Sequence, residues 1–474
     1  MPTFEITRFI FMRAICAIYF VAFLSLYFQM KPLIGQNGLM PAKAFLERTQ
    51  ASFWQLPTLF HFNASDSFMR AMCGLGVVLS FMGMVGISNG LLMVLLWFLY
   101  LSFVHVGQLF YGYGWETMLL EAGFLSIFLG PFLDVSWFPK NHSTPFVVVL
   151  MFRWMLFRTM FGAGMIKMRG DACWKDLTCL FYHFETQPIP NPLSWYFHHL
   201  PKILLKLGTL FNHFAELIVP FFFFGPRWLV FWGGAFTLSF QFVLILSGNL
   251  SWLNWLTIVL TIFCFDDAFF LKFLPFTLPV AAMASTPYLI ILAMLTVVVL
   301  LLSIRPTMNL FSRHQAMNAS FDQFHLVNTY GAFGSIGKER YEIILEGSND
   351  LESWKEYGFK GKPGDVNAMP PIISPYHYRL DWQIWFAAMS NYQHNQWLVY
   401  YAYKLLMGDK DATSLLGYNP FPDRPPVYIR AELYRYRFTD SRKMTKAWWE
   451  RRRVGTYFPA IHLAPSLQPE ENAP

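Results

Sequence analysis

Tyr288-Leu-Ile-Ile-Leu-Ala-Met-Leu-Thr-Val-Val-Val-Leu-Leu-Leu-Ser-Ile304 carries no charge, and Arg305 ends the run. It is the heart of an apolar window at 283–304, about the 20 residues a helix needs to cross a bilayer. Only 28 of the 65 charged residues lie in 1–304, whereas the remaining 170 residues hold 37. The two regions therefore meet different solvents. With 474 residues, 55% hydrophobic, 19% aromatic, 14% charged and a mean hydropathy of +0.35, the chain has more apolar surface than a water-facing shell can hide. That composition excludes a simple soluble enzyme.

Working backward from 283–304, eight more windows read as membrane helices: 9–29, 68–88, 91–111, 116–133, 146–166, 209–224, 228–247 and 252–270. The window at 209–224 ends at Pro220 and four Phe, a pattern for a kinked or re-entrant helix. The first window lacks a small-residue cleavage site and reads as a retained span. An odd number of spans places the two chain ends on opposite sides, and Arg8 with Arg13 favours a cytoplasmic N-terminus. The C-terminal part is then luminal or periplasmic.

Working forward, alternation at 341–346 and 427–438 predicts strands, and aromatic residues at helical spacing over 381–407, closed by Gly408, predict helix. The expected fold is a polytopic α-helical membrane bundle of eight or nine helices followed by a β-rich α+β water-facing domain. Its expected boundaries are 1–304 for the bundle, with an ordered polar loop at 167–208, then 305–458 for the second domain and a flexible tail at 459–474.

Charges inside apolar windows are costly and therefore informative. Glu116 and Glu121, Arg153 and Arg158, and His213 and Glu216 are expected to face one another within the bundle, with Asn212, Asn249 and Asn254 nearby. Such a cluster either forms a polar cavity for an anionic or amphiphilic ligand or pairs with itself to fix helix packing. The densest polar segment follows the fifth window and contains Lys167, Arg169, Asp171, Cys173, Trp174, Asp176, Cys179, His183 and Glu185. Cys173 and Cys179 are compatible with a disulfide or with thiol exchange. The histidines lack a recognised metal-ligand spacing, and no phosphate loop or nucleotide fingerprint occurs, so neither metal nor cofactor is expected. The net charge of +7 is dispersed, which fits contact with membrane lipids and argues against a nucleic-acid partner.

Longer ordered stretches carry a resemblance. Gly162-Ala-Gly-Met-Ile-Lys-Met-Arg-Gly-Asp171, Cys173-Trp-Lys-Asp-Leu-Thr-Cys179, His183-Phe-Glu-Thr-Gln-Pro-Ile-Pro-Asn-Pro192 and Asn212-His-Phe-Ala-Glu-Leu-Ile-Val-Pro220 resemble the lipase maturation factors. So do Leu246-Ser-Gly-Asn-Leu-Ser-Trp-Leu-Asn-Trp255, Val327-Asn-Thr-Tyr-Gly-Ala-Phe-Gly-Ser-Ile336 and the segment with Tyr376, His377, Tyr378, Arg379, Asp381 and Trp382. The resemblance implies a membrane-embedded folding factor, without catalysis of its own, whose partner is a secreted dimeric lipase. It implies the endoplasmic reticulum membrane in a eukaryote, with the large loop and the C-terminal region facing the lumen. The C-terminal region has no Cys, a departure from vertebrate members that implies a bacterial one, in the cytoplasmic membrane and with another exported client. The helical part is also distantly similar to the membrane region of vitamin K-dependent carboxylases, so the alternative is an intramembrane enzyme acting on a lipid or quinone-like substrate.

Overall fold

The structure, a computed structural model, describes residues 2–139, 142–274, 285–441 and 446–463. Among them, nine helical segments form the bundle: α1 (Glu5–Ile34), α2 (Asp66–Val85), α3 (Gly90–Val106), α4 (Gly114–Ser126), α5 (Phe146–Arg169), α6 (Lys202–Phe224), α7 (Arg227–Ser247), α8 (Leu253–Cys264) and α9 (Thr286–Phe311). Six of these, α1, α2, α5, α6, α7 and α9, are long and apolar enough to span a membrane; α3 and α8 are apolar but shorter.

Each expected window contains a helix, yet 116–133 yields only the 13-residue α4. Its Glu116 and Glu121 are fully buried, and nearly every other residue is also inside. A helix covered on all sides by protein need not match the bilayer thickness. Local signals set the boundaries: the Ser65 and Asn89 side chains accept hydrogen bonds from Phe68 N and Leu92 N at the starts of α2 and α3. Gly86 closes α2 at φ 129°, where a side chain would be strained.

The expected break in α6 is present. The α-helix of Lys202–His213 widens into a π-helical turn at Phe214–Ile218 and then tightens to a 3-10 helix at Val219–Phe224. Pro220 has no N–H for the regular ladder and lies at this change.

Contacts show that successive segments run from one end of the bundle to the other. At one end, Asp267 accepts the N–H groups of Glu5 (2.8 Å) and Ile6 (2.9 Å), and Arg8 donates to the carbonyl of His142 (2.9 Å). At the opposite end, Ser25 and Gln29 of α1 donate to the His377 carbonyl at 3.0 and 2.7 Å. After nine helical segments the C-terminal region sits at the end of the bundle opposite residue 2.

That region holds an antiparallel sheet in the order β2-β1-β5-β6, made of Lys355–Glu356, Arg340–Ser348, Tyr428–Phe438 and Trp449–His462. The long pair β1 and β5 runs in continuous register from Arg340 opposite Tyr436 to Ser348 opposite Tyr428. A second pair joins β3 (Gly358–Phe359) to β4 (Leu416–Tyr418), and two helices, α10 (Arg379–Ala387) and α11 (Gln396–Leu406), lie against the main sheet. The aromatic stretch at 381–407 is thus two helices. α9 continues past the expected limit at 304 to Phe311, and β6 includes 459–462 of the expected tail. Residues 464–474 lie outside the described residues.

One apolar cluster runs continuously from α1, through α4 and α5, into Ile343, Leu345, Trp382 and Leu398. Burial of that cluster joins the membrane bundle to the sheet. Close approach is required at Gly162 of α5, where a Cβ would collide with the Tyr330 carbonyl oxygen. Backbone cannot rotate away as a side chain can. Gly162→Ala is expected to cost about 1–3 kcal/mol, read as a lower midpoint in thermal or denaturant unfolding.

Candidate functional site

The expected polar loop is an ordered set of short helices at Ala172–Lys175, Leu180–Thr186 and Pro192–His198. Cys173 and Cys179 form a disulfide with Cα atoms 4.8 Å apart. The bridge holds Trp174 inward: its indole N–H donates to the Phe333 carbonyl (2.9 Å), and its own carbonyl meets His213 Nε2 (2.9 Å). Asp171 accepts the Ile336 N–H (2.7 Å), and its N–H donates to the Gly334 carbonyl (3.1 Å). Arg169 donates to Gln315 and to the Leu310 carbonyl. Asp176, with neighbouring Lys175, remains exposed. Most of this segment is therefore scaffold, and Lys175-Asp176 is its exposed charged pair.

The next turns join the loop to the sheet. Arg340 of β1 is fully buried and donates to the carbonyls of Glu185 (3.0 Å), Gln187 (2.5 Å) and Pro188 (2.9 Å). Glu342 balances Arg340 and Lys362 at 2.5 and 3.0 Å, and all three side chains are almost wholly hidden. Glu185 accepts the Phe438 N–H at 2.7 Å, while Trp195 and Trp385 donate to the Thr439 and Thr186 carbonyls, each at 3.0 Å. Loop and sheet form one packed body.

Buried His183 packs edge-on against Phe333 at 5.0 Å. Burial, with a smaller contribution from nearby Lys167, holds its imidazole down to about 3. The folded value is below the ordinary value of about 6.5, so the unfolded chain binds the proton first. The stabilising effect of neutral His183 is complete above about pH 6.5 and falls as pH drops from there toward 3. Thermal melts at pH 7.5 and 5 are expected to show a smaller acid-induced drop in His183→Phe than in the wild-type chain.

The intramembrane charges do not form one group. Glu121 and Arg158 pair as expected, fully buried, and Glu121 also accepts from Asn328 N (2.9 Å) and Tyr330 OH (2.7 Å). Lys167 pairs with Glu216 at 2.6 Å and with Asn212 at 2.8 Å, so Lys167 belongs to this second cluster as much as to the loop. Glu116 instead meets Arg379 of α10 at 2.6 Å and takes the Tyr100 hydroxyl. Among the described residues Arg153 reaches no carboxylate; it donates to the carbonyls of Phe263 (3.0 Å) and Phe223 (3.4 Å), where the ends of two helices leave acceptors. The expected mutual facing therefore holds for Glu121 and Arg158 and fails for Glu116 and Arg153. The pairs meet inside the protein, while Arg158 Nε and Arg379 Nε and Nη2 are buried without a hydrogen-bond partner among the described residues.

Asn249 is a loop junction rather than a lining residue of the bundle. It donates to Pro190 O (3.2 Å) and Pro371 O (2.8 Å) and accepts from Ile373 N (2.9 Å) and Ser374 N (3.0 Å). Asn254 is buried in α8.

The C-terminal candidates serve the seam with the bundle. Arg379 donates to Phe110 O (2.8 Å) besides Glu116, and His377, Trp115 and Trp382 pack with ring centroids 5.0 to 5.4 Å apart. Burial pushes the His377 imidazole far below its ordinary range. Asp381 accepts the Gly361 and Lys362 N–H groups at 2.6 and 3.1 Å; burial pushes its carboxyl up, against the pull of those hydrogen bonds. Tyr376 approaches Gln29 (3.4 Å), and Tyr378 stacks edge-on with Tyr376 at 5.1 Å.

The chain matches the lipase maturation factor transmembrane domain over residues 6–272 and the lipase maturation factor C-terminal domain over 326–459. It belongs to the lipase maturation factor family. Among relatives in that family, it is 44% identical to lipase maturation factor 1 of Homo sapiens, over 97% of this chain and 88% of the relative. It is 32% identical to lipase maturation factor 2 of Xenopus laevis, over 97% and 83%. No solved structure matches. The family's two domains meet here through Glu116 with Arg379 and through Asn249 with the 371–374 strap. Sequence reading missed Arg340, Glu342 and Glu185 as one junction. The only signal was charge on an alternating strand, which ordinarily marks a solvent face.

Proposed function

We propose that this chain is a membrane-embedded maturation factor that assists the folding and assembly of a secreted dimeric lipase or an equivalent exported client. The observation that carries the reading is similarity to named lipase maturation factors along nearly the whole chain, at 44% identity for the human protein. The bundle anchors the body made by the 167–208 loop and the domain that follows Phe311, and that body holds the client. A folding factor needs no reacting group: weak, reversible coverage of a client's apolar surface until its subunits pair is sufficient. The self-paired intramembrane charges support this reading over an intramembrane enzyme.

We further propose that the body faces the lumen of the endoplasmic reticulum, or the periplasm in a bacterium. The Cys173–Cys179 disulfide supports an oxidising side. The loop is the candidate contact with the client, and its exposed Asp176 separates contact from scaffold. Asp176→Ala is expected to lower active client at unchanged membrane level, whereas Trp174→Ala lowers the level of the factor itself. Full client activity with both variants, at equal protein level, would overturn the role of this loop.

A further inference from the structure

Among the described residues, β6 is a 14-residue strand that pairs with β5 on one side only, which leaves it as the long open edge of the main sheet. The opposite edge, β2, has two residues. Thr439 N donates to Trp448 O (3.1 Å), while Trp449 turns its N–H away from β5 to the Val366 carbonyl (3.1 Å). The register is regular from Trp449 to Arg453, so the N–H groups of Arg451 and Arg453 and the Arg451 carbonyl also point outward, and an extra residue at Val454 then bulges the strand. No backbone hydrogen bond covers them among the described residues. Val454 beside them is 54% exposed.

An open edge invites another strand, and its charge selects which. β5 and β6 carry six arginines against two glutamates. Arg451 and Arg453 are neutralised by Glu356 (2.6 Å) and Glu432 (2.8 Å), but the exposed Arg452 side chain has no ion pair among the described residues. A second copy pairing edge to edge would bring two Arg451-Arg-Arg453 triplets together, and like charges on adjacent strands repel. An extended segment with acidic side chains has the opposite preference. Farther along, the buried side chains of Tyr457 and Phe458 pack against the turn before α11, which limits the open stretch to about 450–456.

We propose that the 450–456 edge of β6 captures an extended, acidic segment of an incompletely folded protein client by strand addition, with main-chain hydrogen bonds at Arg451 and Arg453 and charge recognition at Arg452. The proposal rests on the maturation-factor reading for the identity of the partner. Strand addition suits such a role because main-chain bonds tolerate many sequences and are lost when the client completes its own sheet.

The test uses the full chain in detergent and a fluorescent peptide of alternating Val and Glu, seven residues long, with a Lys-for-Glu version as the comparison. The wild-type chain is expected to bind the acidic peptide at least tenfold more tightly than the basic one. Arg452→Glu should reverse that preference, and Arg453→Pro, which removes an outward N–H without breaking a β5 bond, should weaken the acidic peptide at least tenfold beyond Arg453→Ala, which gives up the same Glu432 pair but keeps the N–H. If Arg453→Pro lowers the unfolding midpoint below that of Arg453→Ala, Arg452→Glu alone decides. Failure of the wild-type chain to bind, equal binding of both peptides, or indifference to Arg452→Glu would overturn the proposal. Lipase maturation measured in parallel separates the two readings. Maturation without peptide binding removes only the edge, and peptide binding without maturation removes only the lipase.

Discussion

Arg379→Ala is expected to lower the stability of the whole chain by about 3–5 kcal/mol, the usual consequence of removing one member of a buried ion pair. Both partners are fully buried, and Glu116 would keep the Tyr100 hydroxyl but lose its cation in a low-dielectric seam. The measurement is the unfolding midpoint of the detergent-solubilised chain, together with its level in membranes. Because Arg379 also holds Phe110 O, the carbonyl end of a bundle connection would be released at the same time. The companion Glu116→Gln in the Arg379→Ala background removes the stranded charge and should recover part of the loss. If Arg379→Ala melts with the wild-type chain, the pair does not join bundle and sheet.

Glu342→Ala is the second large effect, again about 3–5 kcal/mol if the chain stays dry at this position. It strands two cations, Arg340 and Lys362, whose side chains are 0% and 1% exposed. The two variants fail differently. Arg379 lies between the sheet domain and the bundle, whereas Arg340 holds the Glu185, Gln187 and Pro188 carbonyls of the loop. Loss of Glu342 should expose the 180–192 segment to limited proteolysis before the bundle is lost. Hydrogen exchange or protease cleavage mapped to that segment checks the prediction; uniform protection there would contradict it.

Membrane helices were readable because lipid imposes a composition on any segment that crosses it. The window at 116–133 was misleading in length because apolar residues are equally required in a helix buried by protein, and only the fold reveals which solvent α4 meets. Glu121 with Arg158 was readable since both charges fall in apolar windows. Glu116 with Arg379 was not, as its two residues are 263 apart and meet only when the sheet domain docks. Arg153 illustrates another limit: its partners are backbone carbonyls at irregular helix ends, which leave no mark in side-chain pattern. The loop was recognisable as ordered from its mixture of charges, aromatics and prolines, and the disulfide remained open until Cys173 and Cys179 were seen joined. What family resemblance supplied was function, since paired charges that hold a scaffold together do not identify a client.

The most direct test is the specific activity of a secreted dimeric lipase in cells that lack their own maturation factor, measured with and without this chain at verified membrane level. The expected result is a rise in active, dimeric lipase with no change in total lipase made. Unchanged lipase activity with the chain present and folded in the membrane would contradict its assignment as a lipase maturation factor.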